Sequence, residues 1–365
     1  MNYRLATILD RENHTLDTTK VIDLNLQDPV SQMQILYEPM NGNAAFSDGH
    51  PALCITKIEL IDGSNVLFSL SGVETQAADW YHRKKEPPNI LRYLNDNASE
   101  MLFNINFGRH LWDPLYAFDP RKFKNPQLKI TIDINAGGSL ADAGQLTVLA
   151  HIFDEKEVTP EGLFIHKKIK DYALADATHE YIDLPTDEVY RKLFLRIQKY
   201  GTGVEYCFDT IKLSEDNDRR VPLNHTISQV LRAMIGQTRP YRECIIGPGG
   251  NLPNYFHCTP AYKVAIAGSH WRTTLIAAAL SFFYGGGGRF QQNQTTPGWN
   301  WQAHVEGWCP HGVIELPFGL QDDPEDWYDV TKLGSLRLDI KSGSGMGATD
   351  SCQVFLQQLR KYAGE

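Results

Sequence analysis

The sequence predicts a mostly β protein that folds as two tandem antiparallel sandwiches. Apolar and polar residues alternate with the period of a strand in many short segments, whereas helical periodicity is convincing in two short segments only. One long phrase of the chain also occurs twice. Residues 107–149 read like residues 318–356, about two hundred positions further on, and such self-similarity indicates a duplicated structural unit.

The two copies of this phrase match at several defined positions. These are Phe107-Gly108 with Phe318-Gly319, Asp113-Pro114 with Asp323-Pro324, Leu128 with Leu336, and Leu146 with Val354. Each leucine of the third pair opens an alternating run, QLKITI in the first copy and SLRLDI in the second. We therefore expect the two runs to be equivalent strands.

Earlier segments of the two halves match in the same order. The strand pattern of residues 21–38 recurs in residues 181–200 at a constant offset of 160 positions. The run 54–72 recurs in residues 208–224 at an offset of 153, and its Asp62-Gly63 pair predicts a tight hairpin turn. This shared order favours two copies of one fold.

Each hairpin precedes a short amphipathic segment that predicts a helix. These segments are residues 73–84 and 226–237, which place Gln229 opposite Gln76 at the same offset of 153. The offset then rises to 211 at the Phe-Gly pair, so the second half carries 58 extra residues at about 238–308. After that pair the offset falls to 208.

The extra segment is rich in glycine and tryptophan. It contains GPGG at 247–250, GGGG at 285–288, and four tryptophans, Trp271, Trp299, Trp301 and Trp308. Two apolar runs, 262–268 and 273–285, predict strands, and we expect the rest to be long loops. Long ordered loops on a β scaffold commonly form an outer surface or a binding site.

Length and charge set further limits. A chain of 365 residues with 42% apolar side chains is long enough for two cores, and we expect domains at 1–172, with a polar N-terminal leader, and at 173–365. The net charge of −9 argues against nucleic acid as a main partner, because binding to phosphates needs a concentrated basic surface.

Cysteines and apolar runs give no sign of secretion or of a membrane. The six cysteines lack any regular spacing, which favours reduced thiols in the core over a disulfide framework or a zinc site. The N-terminus lacks the apolar core of a signal peptide, and the longest apolar run is too short to cross a bilayer. We therefore expect synthesis in a cytoplasm.

Several motifs resemble ligand sites. The glycine run 343–348 follows a strand, but its counterpart near residue 135 lies between strands, so a hairpin loop is favoured over a phosphate loop. GPGG at 247–250 is equally weak evidence for a phosphate loop, because no helix begins directly after it.

Two sets of side chains could hold a metal ion. Carboxylates that could hold calcium are Asp322, Asp323, Glu325, Asp326 and Asp329, and candidate zinc ligands are His304, Cys309 and His311 or His257 and Cys258. The carboxylates lack the spacing and the glycine of an EF-hand loop. The histidines and cysteines have a loose ligand-like spacing, without a second pair at the spacing of a zinc finger.

The best argument for an enzyme or a lectin comes from the tryptophans. Trp271, Trp299, Trp301 and Trp308 could stack on sugar rings, with Glu306 and Glu315 as paired carboxylates. Tryptophans in an insertion also commonly pack loops against the neighbouring sandwich. A carbohydrate-binding or glycoside-hydrolysing β-sandwich protein is therefore the alternative function.

Eight or so strands in each half, with long connections, are typical of a jelly roll, although periodicity does not separate a jelly roll from an immunoglobulin-like sandwich. The chain resembles the double jelly-roll major capsid proteins of tailless icosahedral viruses, the lineage of membrane-containing bacteriophages and adenovirus. The phrases that carry the resemblance are ITKIELIDGSNVLFSLSG, INFGRHLWDPLYAFDPRKFKNPQLKITIDI and PHGVIELPFGLQDDPEDWYDVTKLGSLRLDI. They touch both halves, within about residues 19–355.

The resemblance implies a structural protein of the virion. Two jelly rolls would stand side by side, three chains would form a pseudo-hexagonal capsomer, and the insertion would project as outer loops. The implied partners are other copies of the chain, neighbouring capsomers, penton and minor capsid proteins and, where the virus has one, an internal membrane. It implies no catalytic residue, cofactor or metal, and no sequence-specific binding of nucleic acid.

Overall fold

The computed structural model describes residues 1–42, 49–137, 141–249, 254–270, 280–294 and 299–362. Within these residues the chain forms mostly strands, as the sequence predicts. The strands are β1 (Tyr3–His14), β2 (Thr18–Asp23), β3 (Val30–Asn41), β4 (Ile55–Asp62), β5 (Asn65–Leu70), β6 (Leu91–Arg92), β7 (Met101–Asn106), β8 (Pro126–Ile132), β9 (Ala141–Phe153), β10 (Gly162–Ala173), β11 (His179–Leu184), β12 (Val189–Gln198), β13 (Phe208–Glu215), β14 (Arg220–Thr226), β15 (Tyr241–Gly247), β16 (Asn254–His257), β17 (Pro260–His270), β18 (Leu280–Gly286), β19 (Arg289–Gln294), β20 (Trp301–Pro310), β21 (Val313–Pro317), β22 (Leu336–Ser342) and β23 (Ser351–Lys361). The α-helices are α1 (Gly72–Arg83), α2 (Val204–Cys207) and α3 (Ile227–Gln237), and short 3-10 turns occupy Pro51–Cys54, Pro120–Lys122 and Pro324–Asp326.

The strand order repeats between the halves. In the first half the sheets are β1-β9-β3-β7 and β2-β8-β4-β5, and in the second half they are β10-β23-β12-β21 and β11-β22-β13-β14. Each half therefore has eight antiparallel strands in two sheets, with the same connectivity, which is that of a jelly roll. The predicted double jelly roll is confirmed.

One pair of strands joins the two halves. β5 pairs in parallel with β10, where Phe68 lies opposite His166 and Ser69 lies opposite Lys167. Two four-stranded sheets thereby merge into one of eight strands, β2-β8-β4-β5-β10-β23-β12-β21. The sheets β1-β9-β3-β7 and β11-β22-β13-β14 are not merged within the described residues.

Both halves contain the same two backbone irregularities. Ser31 is the extra residue of a bulge where β3 pairs with β9, and Arg191 takes this place where β12 pairs with β23. A second bulge lies at Thr56 in β4 and at Asp209 in β13. Since a bulge fixes the register of a strand pair, these positions confirm the predicted offsets of 160 and 153.

The predicted offset of 208 is wrong by two residues in the next strand. Leu128 of β8 pairs with Leu60, and the equivalent Leu213 pairs with Leu338. Leu128 is therefore equivalent to Leu338 and not to Leu336. Residues two apart in a strand face the same way, so alternation does not reveal a slip of two.

For the last strand of each half, the predicted register is wrong by two residues in the opposite direction. Val148 pairs with Ile35, and Val354 pairs with the equivalent Leu195. Val148, rather than Leu146, is thus the counterpart of Val354. The runs are equivalent strands, as predicted, in a register that differs by two residues.

Residues 3–14 of the N-terminal segment, predicted as a polar leader, form a strand of the fold. β1 is an outer strand of the first half and pairs with β9, and β10 occupies the same place in the second half. The order of strands therefore favours a start of the second unit near Gly162. The predicted domain boundary between residues 172 and 173 stays a prediction, and the strand order does not favour it.

The insertion folds into strands, so the prediction of long loops is wrong for most of its described residues. β15, β17 and β20 form a sheet with β6 of the first half, and β16, β18 and β19 form another. The predicted strand at 262–268 lies within β17, whereas most of the run 273–285 falls outside the described residues. β6 pairs in parallel with β15, and Tyr93 donates hydrogen bonds to the carbonyl oxygens of Ile246 and His257, each at 2.8 Å.

The two predicted helices form where expected. Ser71 donates its backbone N–H to the carboxylate of Glu74 at 2.7 Å, and Thr226 donates its N–H to the side-chain oxygen of Gln229 at 3.1 Å. These capping contacts place Gln229 opposite Glu74, not opposite Gln76. None of the helices in the described part of the chain is long and apolar enough to cross a bilayer.

Candidate functional site

A buried polar cluster lies where the two jelly rolls and the insertion meet. His50 comes from the first half, Thr259 and Glu243 from the insertion, and His311 from the turn between β20 and β21. All four side chains are at most 8% exposed. The rings of His50 and His311 lie edge to face with centroids 4.7 Å apart. We call these four residues the junction cluster.

Hydrogen bonds fix the proton positions in the junction cluster. Nδ1 of His50 accepts the backbone N–H of Ala52 at 3.1 Å, so Nε2–H of His50 donates to Oγ1 of Thr259 at 3.1 Å. Thr259 in turn donates its N–H and its hydroxyl to the two carboxylate oxygens of Glu243, both at 2.7 Å. His311 donates Nε2–H to Oε1 of Gln76 at 2.9 Å.

Burial controls the titration of these groups. It lowers the pKa of His50 to about 3, helped by the neighbouring His257. Burial raises the pKa of Glu243 to about 7, although both hydrogen bonds from Thr259 favour the carboxylate. Nδ1 of His50 faces a donor, so protonation there would break the bond from Ala52. The junction cluster is therefore a structural joint that resists protonation of its imidazole.

An ionic cluster lies beside helix α1. Glu315 of β21 forms ion pairs with Lys192 of β12 and, at 3.0 Å, with Lys84. Burial lowers the pKa of Lys192 to about 7, against the effect of Glu315. Burial opposes the ionisation of Glu315, yet the two ammonium groups hold its pKa below its ordinary value. Since Lys84 comes from the first half, this cluster also joins the halves.

In the described part of the chain, residues predicted to form a sugar site are engaged in other contacts. Trp301 is buried, its ring packs edge to face on Phe256 and Phe282, and its indole N–H donates to the carbonyl oxygen of Pro248 at 2.8 Å. Glu306 pairs with Arg242 at 3.2 Å on another sheet, whereas Glu315 is held by lysines. The two carboxylates are thus engaged in separate ion pairs on strands of different sheets.

The remaining tryptophans do not restore this site. The indole N–H of Trp308 donates to the carbonyl oxygen of Thr238 at 3.1 Å, and Trp299 is half-buried. Trp271 lies outside the described residues. The carbohydrate alternative is therefore not favoured.

The glycine runs serve as connections. The loop 343–348 links β22 to β23, which lie in different sheets, so it is not the predicted hairpin. Its N–H groups at Gly345 and Gly347 donate to the carboxylates of Asp176 and Asp350 at 2.6 and 2.9 Å, where a phosphate would have to bind. At Gly247 a Cβ atom would lie 2.2 Å from the Trp301 ring, so glycine makes room for the indole.

The candidate metal ligands are engaged elsewhere. Asp323 caps the short turn at Glu325, Asp326 accepts the N–H of Leu320, and Asp329 pairs with Lys332 at 2.8 Å. His311 binds Gln76. His304 and Cys309 share β20, where His304 is exposed and Cys309 is buried, whereas His257 ends β16 and Cys258 follows it. In the described ranges no three His, Cys, Asp or Glu side chains are grouped to hold an ion.

An open groove lies beside helix α3. It measures about 590 Å³ and runs between the helix and β21. Its lining includes the apolar side chains of Leu223, Val230, Met234 and Leu316 and the charged side chain of Lys84. No local pattern in the sequence marks this groove, because α3 and β21 are about eighty residues apart, beyond the reach of local periodicity.

The fold and these surfaces define a double jelly-roll protein whose polar clusters are joints between its halves. No family model matches the chain, and no curated protein matches it. Solved structures do match. The major capsid protein of Sulfolobus turreted icosahedral virus superposes with a TM-score of 0.62 at 10% identity, over 99% of this chain and 97% of that one.

Two further capsid proteins give the same result. For the major capsid protein of bacteriophage PM2 the TM-score is 0.55 at 11% identity, with 99% of this chain and 98% of that chain covered. For the capsid of the virus PBCV-1 it is 0.53 at 8% identity, with coverage of 98% and 94%. The chain thus has the double jelly-roll fold of viral major capsid proteins along nearly its whole length.

Proposed function

We propose that this protein is the major capsid protein of an icosahedral virus, and that three copies form a pseudo-hexagonal capsomer that tiles the shell. The observation that carries the proposal is the agreement of the whole chain, both halves in order, with capsid proteins over 97–98% of the length of the two first-named relatives. The polar clusters support it as well, since each joins parts of the chain rather than facing a substrate.

Duplication gives this role a geometric basis. A ring of three chains with two similar sandwiches each places six sandwiches around one axis, which fills a hexagonal position with three subunits. Such contacts bury large surfaces and make the trimer obligate. The protein would be made in the host cytoplasm and reside in the virion. Its partners would be other capsomers together with penton and minor capsid proteins.

The native mass tests this proposal. We expect purified protein to elute and scatter light as a particle of three times 41.3 kDa, and to form lattice fragments visible by electron microscopy on concentration. A protein that stays monomeric at micromolar concentration in native buffer would contradict the proposal.

A further inference from the structure

Two of the outer strands in the described part of the chain, β1 and β14, each lie at the edge of an unmerged four-stranded sheet. β1 is the outer strand of the sheet β1-β9-β3-β7, and β14 is the outer strand of the sheet β11-β22-β13-β14. Both carry exposed apolar side chains, with Leu5 51% and Val221 38% exposed. An open edge with its N–H and C=O groups unpaired is a template for another strand.

The internal repeat indicates which strand each edge fits. β5 and β14 are equivalent outer strands, as are β10 and β1. Within the chain, β5 and β10 are joined in parallel. The equivalent pair, β14 and β1, is not joined within the described residues of one chain, where the two strands are outer strands of separate sheets.

The cross-strand partners show which residues of β14 are equivalent to those of β5. Phe68 lies opposite Leu60, and Leu223 lies opposite the equivalent Leu213, so Leu223 is the counterpart of Phe68. The same rule makes Asn224 the counterpart of Ser69.

The cross-strand partners also show which residue of β1 is equivalent to His166 of β10. His166 lies opposite Gln357, and Leu5 lies opposite His151. Gln357 and His151 are equivalent because each pairs with the residue that follows the shared bulge, Lys192 and Gln32 respectively. Leu5 is therefore the counterpart of His166.

We propose that β14 of one copy pairs in parallel with β1 of the next copy, with Leu223 opposite Leu5 and Asn224 opposite Ala6. This inference rests on the proposed trimer and names the surface that builds it. The pairing would merge the two separate sheets into a second sheet of eight strands, like the one within the chain. A head-to-tail contact of this kind closes into a ring of three copies when each copy is rotated by 120° relative to the previous one.

The side chains suit this register. In the internal pair, the rings of Phe68 and His166 pack with centroids 5.2 Å apart. The corresponding contact would be made by two leucines, one of which, Leu5, is half exposed in the single chain. Pro222 does not interfere, since neither bonding pattern of a parallel pair at residues 223 and 224 uses an N–H group from residue 222.

The different burial of the equivalent helices α1 and α3 supports the same contact surface. Ten of the twelve residues of α1 are buried, partly because the second half covers this helix, and Tyr81 donates its hydroxyl to the carbonyl oxygen of Val313 at 2.7 Å. Its counterpart α3 has four buried residues and borders the open groove that Leu223 lines. The first half of the next copy would cover this groove as the second half covers α1.

Cysteine pairing tests the register. Residues directly opposite in neighbouring strands lie about 5 Å apart, within the range that a disulfide spans. We expect the double variant Leu5→Cys with Leu223→Cys, oxidised under native conditions, to give a covalent trimer on a non-reducing gel, and either single variant to give none. A matched control, Leu5→Cys with Val221→Cys, shifts one partner by two residues and should cross-link at least tenfold less.

The outcomes separate the two proposals. A trimer in solution whose double variant yields no cross-link, or which cross-links better in the shifted control, overturns this register and leaves the proposed capsid function standing. A native monomer overturns both.

A charge placed at the edge provides a second readout. We expect Leu5→Asp to raise the dissociation constant of the trimer at least tenfold. The control Leu16→Asp, at a leucine 75% exposed in the turn between β1 and β2, should leave it unchanged. Equal association of the two variants would overturn the pairing.

Discussion

His50 should make the junction cluster sensitive to acid, and the variant His50→Asn should remove much of that sensitivity. Asparagine can still accept the N–H of Ala52 as a cap, but it does not titrate. His50 is buried at 3% exposure and binds both Ala52 and Thr259. The substitution therefore isolates the proton equilibrium of one imidazole.

The size of the effect follows from the pKa of His50. It lies at about 3 in the folded chain against an ordinary 6.5, so the unfolded state binds a proton that the folded state refuses between these values. Stability is therefore complete above pH 6.5 and falls as the pH drops toward 3, by about 1.4 kcal/mol for each pH unit. At pH 5 the loss from His50 is about 2 kcal/mol.

Glu243 acts in the opposite direction. Its pKa of about 7 in the folded chain lies above its ordinary 4.5, so the stability that its protonated form supplies is complete below pH 4.5 and is lost as the pH rises through 7. This contribution is present in the wild type and in the variant alike. Comparing the two proteins at two pH values therefore cancels it.

The assay is urea unfolding followed by tryptophan fluorescence at pH 7 and pH 5, at one protein concentration. We expect the wild type to lose about 2 kcal/mol more between the two pH values than His50→Asn does. His110→Asn, which removes an imidazole that lies in water, serves as the control and should behave like the wild type. An equal pH dependence in wild type and His50→Asn would refute the reasoning.

Two further predictions concern the ionic cluster and the glycines. Glu315→Gln leaves Lys192 buried without its carboxylate and should lower the free energy of unfolding by about 3–5 kcal/mol, whereas Lys192→Met combined with Glu315→Leu should recover most of this loss. Denaturant midpoints of the wild type and of these two variants check it. Gly236→Ala in helix α3, where a Cβ meets nothing within 4 Å, should raise the thermal midpoint through a gain of about 0.5–1 kcal/mol. Gly108→Ala, whose Cβ would lie 2.3 Å from a backbone carbonyl oxygen, should lower that midpoint by more.

The order of elements in both halves could be predicted because strands leave a strong local signal. Alternation, the Asp62-Gly63 turn and the two amphipathic helices fixed the repeat well enough to reveal the duplication. The registers of β8 and β9 were each wrong by two residues, since a slip of two keeps every side chain on its face. Matching Gln76 to Gln229 by residue type failed for a related reason, because Gln229 has the capping role of Glu74.

The parts that sequence did not reveal depend on distant contacts. β1 is an outer strand with one open edge, so its alternation is weak and it reads as a polar leader. The insertion reads as loops, yet its strands are stabilised by pairing with each other and with β6. His50 and Thr259 are 209 positions apart, and no local pattern marks two such residues as partners.

The strand pairing of β6 with β15 limits how this protein can be altered for display of foreign peptides. Leu91 and Arg92 enter the sheet of the insertion from the first half, and Tyr93 is hydrogen-bonded to it twice. A graft that exchanges the whole segment 238–308 would leave those backbone groups exposed, so a replacement must bring its own receiving strand. The β18–β19 turn is not a free site for insertion either, because the carbonyl oxygens of Gly286 and Gly288 accept the N–H groups of Gly201 and Cys258.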